Sequence, residues 1–359
     1  MKRAPLNSQF TARASKTLTM HVFLYEWITG GGLVEEPGAL PATLLAEGSA
    51  MLAALAADFS ALDGCRVSVL KDIRLDGLAL AGCDVTEVHS TAHQQEELMR
   101  LAGAADHTLI IAPEFDNILS RSHALARQAG GNLLASTDRF VALTSNKHRT
   151  AQRCDEAAIR TPKAVVLEPD AERLPADFVY PAVLKPVVGA GSQNTHLVAS
   201  AQDEPPPYPW RRRLEQYCVG TPASVSFLCG PDHRVPLMPC RQHVSSDGHL
   251  TYLGGSLLLK EDLAARATEL AGRVLNAIPG AVGYVGVDLV LGKAADGSED
   301  YFLEVNPRLT TSYVGLRAAT GDNLAAALLA NAAGQPVTPQ FRRDPLEFLA
   351  DGSLQQLGI

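Results

Sequence analysis

The stretch from Val285 to Tyr313 limits the possible folds of this chain more than any other. It contains two apolar runs, at 285–291 and 301–305, joined by a connector rich in Asp, Gly and Ser. Apolar runs bounded by such turn-forming residues are typical of β-strands, so the pattern predicts a β-hairpin. Acidic residues occur inside the two strands and not only in the turn. Because charged side chains are seldom buried without a partner, this hairpin is a candidate functional site.

The predicted pairing of the two strands brings two carboxylates together. Residues two apart on a strand share a face, so Glu304 and Asn306 project to the same side, and pairing Leu291 with Tyr301 places Asp288 opposite Glu304. Opposed like charges destabilise a sheet unless a positive charge lies between them. Carboxylates and an amide oxygen suit Mg²⁺, with Mn²⁺ as an alternative, and Arg308 is available for phosphate oxygens. The alternative is a solvated hairpin whose acids only keep it soluble.

The composition excludes several classes of protein. A net charge of -8 argues against nucleic acid or an anionic membrane as a partner, because both repel an acidic surface. No apolar run approaches the roughly 18 residues that a membrane-spanning helix needs. The six cysteines show neither CxxC pairs nor zinc-site spacing, which is typical of reduced thiols in a cytoplasmic protein.

The N-terminal part of the chain alternates strand and helix patterns, which predicts an α/β domain with a parallel sheet over residues 20–140. The four predicted strands are 21–25, 66–70, 85–89 and 108–112, and the two predicted helices are 44–57 and 94–102. Ligands of parallel sheets bind beyond the carboxyl ends of the strands, so segments 26–32 and 113–117 are expected to line a cleft. Residues 1–19 are basic, without acids, and are expected to be a disordered extension.

Two lysines and a glycine loop form a second candidate site. The run Thr-Ser-Asn-Lys at 144–147 is expected to open a helix that continues through Ile159, with Ser145 or Asn146 as its cap. Lys147 would lie in its first turn, where a cation opposes the helix dipole unless an anion is bound nearby. Strand 182–184 ends in Lys185 and runs into the loop 187–193, which contains Gly189, Gly191 and Ser192. Small residues let backbone N–H groups approach phosphate oxygens, while a lysine supplies a point charge. A simple turn and an exposed lysine are the alternatives.

Together, these separated elements resemble the ATP-grasp superfamily over roughly residues 20–335. The resemblance implies an ATP-grasp fold with the N-terminal α/β domain, a central lid subdomain over 141–213, a C-terminal antiparallel subdomain over 214–338, and a surface tail over 339–359. It implies that Lys147 and Lys185 hold phosphates, that 189–192 is a mobile lid, and that Asp288, Glu304 and Asn306 bind Mg²⁺. Arg241 and Arg308 would be catalytic. The nucleotide would also contact Gly189, Gly191, Ser192, Glu215, Gln216, Tyr217 and Cys218.

Two segments, 25–32 and 304–313, are similar to the family of ligases that join tyramine to glutamate in methanofuran and methylofuran synthesis. This resemblance implies substrate contacts at Glu26, Trp27, Thr310 and Tyr313. The acid that often follows the hinge and reaches the ribose is missing from 221–224, so no ribose contact is implied.

The resemblance implies an ADP-forming carboxylate–amine ligase that works through an acyl phosphate, with ATP and Mg²⁺ as cofactors. Its expected substrates are L-glutamate and tyramine or a similar amine, and a homodimer is compatible with it. A ligase for another amino acid and amine pair, and a nucleotide-binding regulator without turnover, are the alternatives.

Overall fold

The computed structural model describes residues 20–356 apart from 79, 170, 172 and 259. The predicted disordered extension, 1–19, lies outside the described residues.

The N-terminal domain is a four-stranded parallel sheet with helices packed against it, as the alternating pattern predicts. Its strands are β1 (Met20–Glu26), β2 (Cys65–Asp72), β3 (Cys83–Val88) and β4 (His107–Ile111), in the order β3-β2-β1-β4. Its helices are α1 (Ala42–Ser60), α2 (Thr91–Ala104) and α3 (Ile118–Gln128), with a short 3₁₀ turn at Phe115–Asn117. The carboxyl ends of β1 and β4 therefore meet at the edge of the sheet that faces the rest of the protein.

Helix α1 is, within the part of the chain that the structure describes, the one helix long and apolar enough to cross a membrane by length and composition. Its apolar side packs on β1 and β2 and on helices that follow later in the chain. It also carries Glu47 and Asp58, and this is the arrangement of a core helix.

The central region has a small antiparallel sheet preceded by two helices, α4 (Asp138–Thr144) and α5 (Lys147–Glu156). The helix predicted to open at 144–147, with Ser145 or Asn146 as its cap and Lys147 in its first turn, is confirmed as α5. The Asn146 side chain caps it by accepting from the Arg149 N–H at 3.0 Å, and the helix ends at Glu156, three residues before the predicted end at Ile159. The strands of the sheet, in the order β5-β8-β6-β7, are β5 (Ala164–Leu167), β6 (Ala182–Pro186), β7 (His196–Val198) and β8 (Arg212–Gln216). The predicted boundary at 213/214 is wrong, since it cuts β8.

The C-terminal region is built on an eight-stranded sheet whose described pairings are antiparallel. Its strands are β9 (Thr221–Cys229), β10 (Arg234–Pro236), β11 (Cys240–Val244), β12 (Tyr252–Leu257), β13 (Gly283–Leu291), β14 (Tyr301–Asn306), β15 (Leu346–Leu349) and β16 (Leu354–Gln356). The order is β14-β13-β9-β11-β12-β15-β16, and β10 pairs with β9. The helices are α6 (Glu261–Ala277), α7 (Ser312–Ala318) and α8 (Leu324–Ala332). Helix α6 covers one face of the sheet, while α7 and α8 join α1 on the other.

The predicted surface tail over 339–359 is wrong. Strand β15 pairs with β12, and the Phe348 side chain is fully buried in the core that joins α1 to the large sheet. A side chain at Gly255 or Gly315 would collide with the Phe348 ring, so these two glycines make the space that the ring fills. The sequence Leu-Glu-Phe-Leu is short, and nothing local shows that it has a partner nearly a hundred residues earlier.

Candidate active site

Strands β13 and β14 form the predicted hairpin, with Asp288 directly opposite Glu304 as expected. The predicted pairing of Leu291 with Tyr301 is wrong, because Tyr301 faces Val290 and a β-bulge lies between the turn and the acidic pair. The bulge leaves Leu303 as the extra residue and so restores the alignment at the site. Asp288 and Glu304 therefore project to one face of the sheet.

Polar groups from three strands and one helix meet at this acidic pair. Asn306 donates to Asp288 through Nδ2 at 3.0 Å, and Gln242 on β11 donates to the other oxygen of the same carboxylate at 3.0 Å. The Lys147 Nζ lies 3.0 Å from Glu304 Oε2. Gln242 was missed by the sequence analysis, since a lone amide in a short strand carries no signal until the strand order is known.

The pKa values of the two acids are shifted in opposite directions. For Asp288, burial and the neighbouring Glu304 raise the pKa, although the Asn306 hydrogen bond works against this. For Glu304, burial alone would raise the pKa, but Lys147 and Lys185 lower it below its usual range. Burial also opposes the charge of Lys147, yet Glu304 and Glu114 keep its pKa above the ordinary value. Nearby positive charge therefore stabilises the ionised form of Asp288 less than that of Glu304.

The two predicted phosphate lysines have different partners. Lys147 is the first residue of α5, and its Nζ donates to the carbonyl oxygen of Gly189 at 2.7 Å. Lys185 is buried in β6 and its Nζ lies 2.6 Å from a carboxylate oxygen of Glu215 on β8. Arg213 contacts the other oxygen of Glu215 at 2.8 Å, which fixes the position of that carboxylate.

A cavity of about 250 Å³ brings most of the predicted site residues together. It lies between the central sheet and the large sheet, and the loop at 189–193 forms part of its wall. The predicted residues that line it are Lys147, Lys185, Gly189, Gly191, Ser192, Glu215, Gln216, Tyr217, Cys218, Asp288, Glu304, Asn306, Arg308 and Thr310.

Four predicted site residues do not line this cavity: Arg241, Tyr313, Glu26 and Trp27. Arg241 is exposed and does not line the cavity, because it alternates with Gln242 on β11 and so projects to the opposite face. Tyr313 is fully buried within α7, where its hydroxyl donates to Asp58 of α1 at 2.6 Å. The structure therefore corrects both assignments: Arg241 is a surface residue and Tyr313 is a core residue.

Glu26 has a structural role in place of the predicted substrate contact. It is buried at the end of β1, and one carboxylate oxygen accepts hydrogen bonds from the N–H and hydroxyl of Thr29 at 2.8 and 2.7 Å. The other oxygen accepts from the Ile28 N–H at 3.2 Å. The carboxylate therefore shapes its own loop and is not free for a substrate ammonium group. Trp27 lines a smaller cavity next to the main one, where its contact with substrate stays a prediction.

Arg308 is held in place by a residue of the N-terminal domain. Its guanidinium donates to both carboxylate oxygens of Glu114, at 3.0 and 3.3 Å, and both side chains are largely buried. Burial alone would lower the Arg308 pKa, but Glu114 raises it above the ordinary value. The segment 113–117 was expected to line the cleft, and Glu114 instead orients the arginine that does so. Its pairing across 194 residues has no local sequence signal.

The residues around Asp288 and Glu304 provide some of the ligands that a hard divalent cation needs. In the described ranges there is no group of three or more His, Cys, Asp and Glu side chains that could hold a metal ion. The protein instead offers two opposed carboxylates and the Asn306 amide facing the cavity. This donor set suits Mg²⁺, which usually takes few protein ligands and completes its shell with water and substrate phosphates.

Comparison with known proteins gives consistent results. Residues 144–312 match the family described as ATP-grasp domain, and residues 65–141 match the pre ATP-grasp 3 domain. The chain is 24% identical over 329 residues to the tyramine–L-glutamate ligase of Methanocaldococcus fervens. The aligned region covers 91% of this chain and 98% of that protein.

Solved structures share the fold. An Archaeoglobus fulgidus protein assigned to the ATP-grasp superfamily superposes with a TM-score of 0.67 and 22% identity, covering 92% of each chain. The L-amino acid ligase of Bacillus licheniformis superposes with a TM-score of 0.64 and 16% identity, covering 90% of this chain and 76% of that one.

Proposed function

We propose that this ATP-grasp ligase joins the γ-carboxylate of L-glutamate to tyramine, through an acyl phosphate and with release of ADP. The observation that carries the proposal is that Lys147, Lys185 and Arg308 line one cavity with the opposed acids Asp288 and Glu304. The proposed substrates are taken from the similarity to the Methanocaldococcus fervens ligase. Methylofuran-type cofactor synthesis in the cytoplasm is part of the same proposal.

The proposed reaction needs no nucleophile from the protein. A carboxylate oxygen of glutamate attacks the γ-phosphorus of ATP, and the bond to the ADP oxygen breaks. The amine nitrogen, after its ammonium form has given one proton to solvent, then attacks the acyl carbon and forms the amide bond. Phosphate leaves with the electron pair of its bond to carbon and takes up the second proton that the nitrogen loses. The protein must therefore supply charge at the moving phosphoryl group and must keep water away from the acyl phosphate.

The lysines and Arg308 supply the charge. Lys147 and Lys185 line the cavity and are each paired with a carboxylate, Glu304 and Glu215 respectively, which holds the ammonium groups in position. Phosphate oxygens of a bound nucleotide would share these cations. Glu114 fixes the Arg308 guanidinium by two hydrogen bonds, so little conformational freedom is lost when an anion binds. Asp288, Glu304 and Asn306 would hold Mg²⁺ or Mn²⁺, which when bound contributes positive charge at the phosphates.

The glycine loop accounts for exclusion of water. Lys147 donates to the Gly189 carbonyl, so the first turn of α5 and the loop are connected. Gly191 and Ser192 adopt positive φ, of 63° and 56°. Glycine adopts this conformation without strain. The loop carries little side chain with which to pack, and it can therefore move when the nucleotide enters.

The direct test is product analysis. The purified protein is incubated with ATP, Mg²⁺, L-glutamate and tyramine, and we expect ADP, phosphate and γ-glutamyltyramine by mass spectrometry. Lys147→Met should abolish all three, while Lys163→Met, a matched change at an exposed position, should not.

Two other results are informative. If ADP forms with glutamate and another amine but not with tyramine, the ligase chemistry holds and the named amine is wrong. If no pair of a carboxylate and an amine elicits ADP, although the nucleotide binds, the protein is a regulator without turnover.

A further inference from the structure

A second, smaller cavity opens beside the main one, on the side of the N-terminal domain. It is formed by the loop after β1, one face of α1 and the segment after β4. The two cavities share Glu47, Ala190, Gly191 and Arg308, so they meet where the tip of the glycine loop approaches α1. A group bound in the smaller cavity would therefore lie next to the site where the phosphoryl group is transferred.

The walls of the smaller cavity are mostly apolar. They are formed by the side chains of Trp27, Ile28, Leu44, Met51 and Ile111. Trp27 is held by an edge-to-face contact with Phe115, with ring centroids 5.9 Å apart. Such a surface suits an aromatic or aliphatic group.

Glu47 is the charged group at this junction that has no fixed partner. None of the described residues donates a hydrogen bond to its carboxylate, and the only cation acting on it is Arg308. Arg308 is already engaged by both oxygens of Glu114. Glu26, the other acid of the smaller cavity, is saturated by Thr29 and Ile28. A half-buried carboxylate with no donor is costly, and a cationic ligand would offset that cost.

We infer that Glu47 binds the ammonium group of the amine substrate, and that the apolar part of that amine packs against Trp27, Leu44 and Met51. This inference rests on the proposed ligase function and names the residue that receives its second substrate. The substrate class is a primary amine with one apolar or aromatic tail and no second charge.

The glycine loop connects this amine site to the nucleotide site. A β-carbon placed on Gly191 would lie 3.4 Å from the Leu44 side chain, so the loop tip rests against α1 one helical turn before Glu47. The same loop carries the Gly189 carbonyl that Lys147 contacts. Closure of the loop over ATP would therefore also close the amine site.

The first test is steady-state kinetics of Glu47→Gln, which keeps the shape of the side chain and removes its charge. We expect KM for tyramine to rise about tenfold or more, because a charge-assisted hydrogen bond is lost, while KM for glutamate and for ATP stays unchanged. Glu36→Gln, the same change at an exposed loop position of the same domain, is the control and should leave all three unchanged. A rise in KM for glutamate in place of tyramine, or no change, would overturn the assignment.

The second test does not depend on turnover. Primary amines with apolar tails, tyramine among them, are titrated calorimetrically into the full-length protein with a nonhydrolysable ATP analogue. Weaker amine binding by Glu47→Gln, with unchanged binding of the ATP analogue, supports the site even if no ligation product is found, in which case the proposed function alone fails. If the wild-type protein binds the ATP analogue but none of these amines, the amine site is refuted.

Discussion

Glu47→Gln should also change the stability of the protein in a pH-dependent way. Burial raises the pKa of Glu47 from 4.5 to about 7, although Arg308 works in the opposite direction. The folded protein therefore holds a proton on Glu47 over a pH range in which the unfolded chain has released it. Glutamine has no such proton, so the variant lacks this contribution.

The sign of the effect follows from the raised pKa. The contribution of Glu47 to stability is fully present below the unfolded pKa and is lost as the pH rises through the folded one. Each pH unit between the two values is worth about 1.4 kcal/mol, so the whole range from 4.5 to about 7 corresponds to about 3 kcal/mol. The wild type should therefore lose about 3 kcal/mol relative to Glu47→Gln as the pH rises.

The assay is urea unfolding of both proteins without ligands, from about pH 4 to about pH 8, with the free energy of unfolding extrapolated to water. Other titrating groups are common to the two proteins and cancel in the difference. The Glu36→Gln variant should follow the wild type at every pH, because that side chain is exposed. A difference between wild type and Glu47→Gln that is constant across this range would refute the reasoning, since it would mean that Glu47 is as well solvated in the folded state as in the unfolded one.

Three further predictions follow from the site and the core. Glu304→Gln should lower transition-state stabilisation by at least ~3 kcal/mol while the fold is retained. Near wild-type turnover of this variant at saturating Mg²⁺ would contradict the role of Glu304. Phe348→Ala should cost about 3–5 kcal/mol in urea unfolding because the ring is fully buried, whereas the exposed Leu354→Ala should cost little. Amide hydrogen exchange over 187–193 should slow when a nonhydrolysable ATP analogue binds, and a loop protected beforehand would be a structural turn.

The elements that were predicted correctly are those with strong local patterns. The hairpin and the parallel N-terminal sheet could be read from runs of apolar residues and from turn residues alone. The pairing of Asp288 with Glu304 was also obtained, although the register assumed near the turn was wrong by one residue and the bulge at Leu303 compensated for it. Lys185 could be recognised because it lies at the end of a clear strand, β6. Lys147 could be recognised because it follows a clear helix cap at the start of α5.

The errors concern contacts that depend on distant parts of the chain. The face on which Arg241 projects depends on where β11 begins, and a shift of one residue reverses it. Tyr313 is buried because Asp58, 255 residues earlier, accepts its hydroxyl hydrogen. Glu47 lies within an apolar helix and lines the smaller cavity only because α1 is brought next to Arg308. Each of these facts requires the assembled core and not the local sequence.

The pairing of β15 with β12 has a consequence for how the protein is made. The ribosome synthesises β12 roughly 90 residues before the strand that covers its edge, which at about 5–20 residues per second leaves that edge open for roughly 5 to 20 s. The unpaired edge of β12 carries Gly254 and Gly255, which have no side chains to block another strand. It lies next to the space that the Phe348 ring later fills. The nascent chain therefore passes through a period in which its largest sheet can pair with a foreign strand, and chains stalled before Leu346 should depend on chaperones to stay unaggregated.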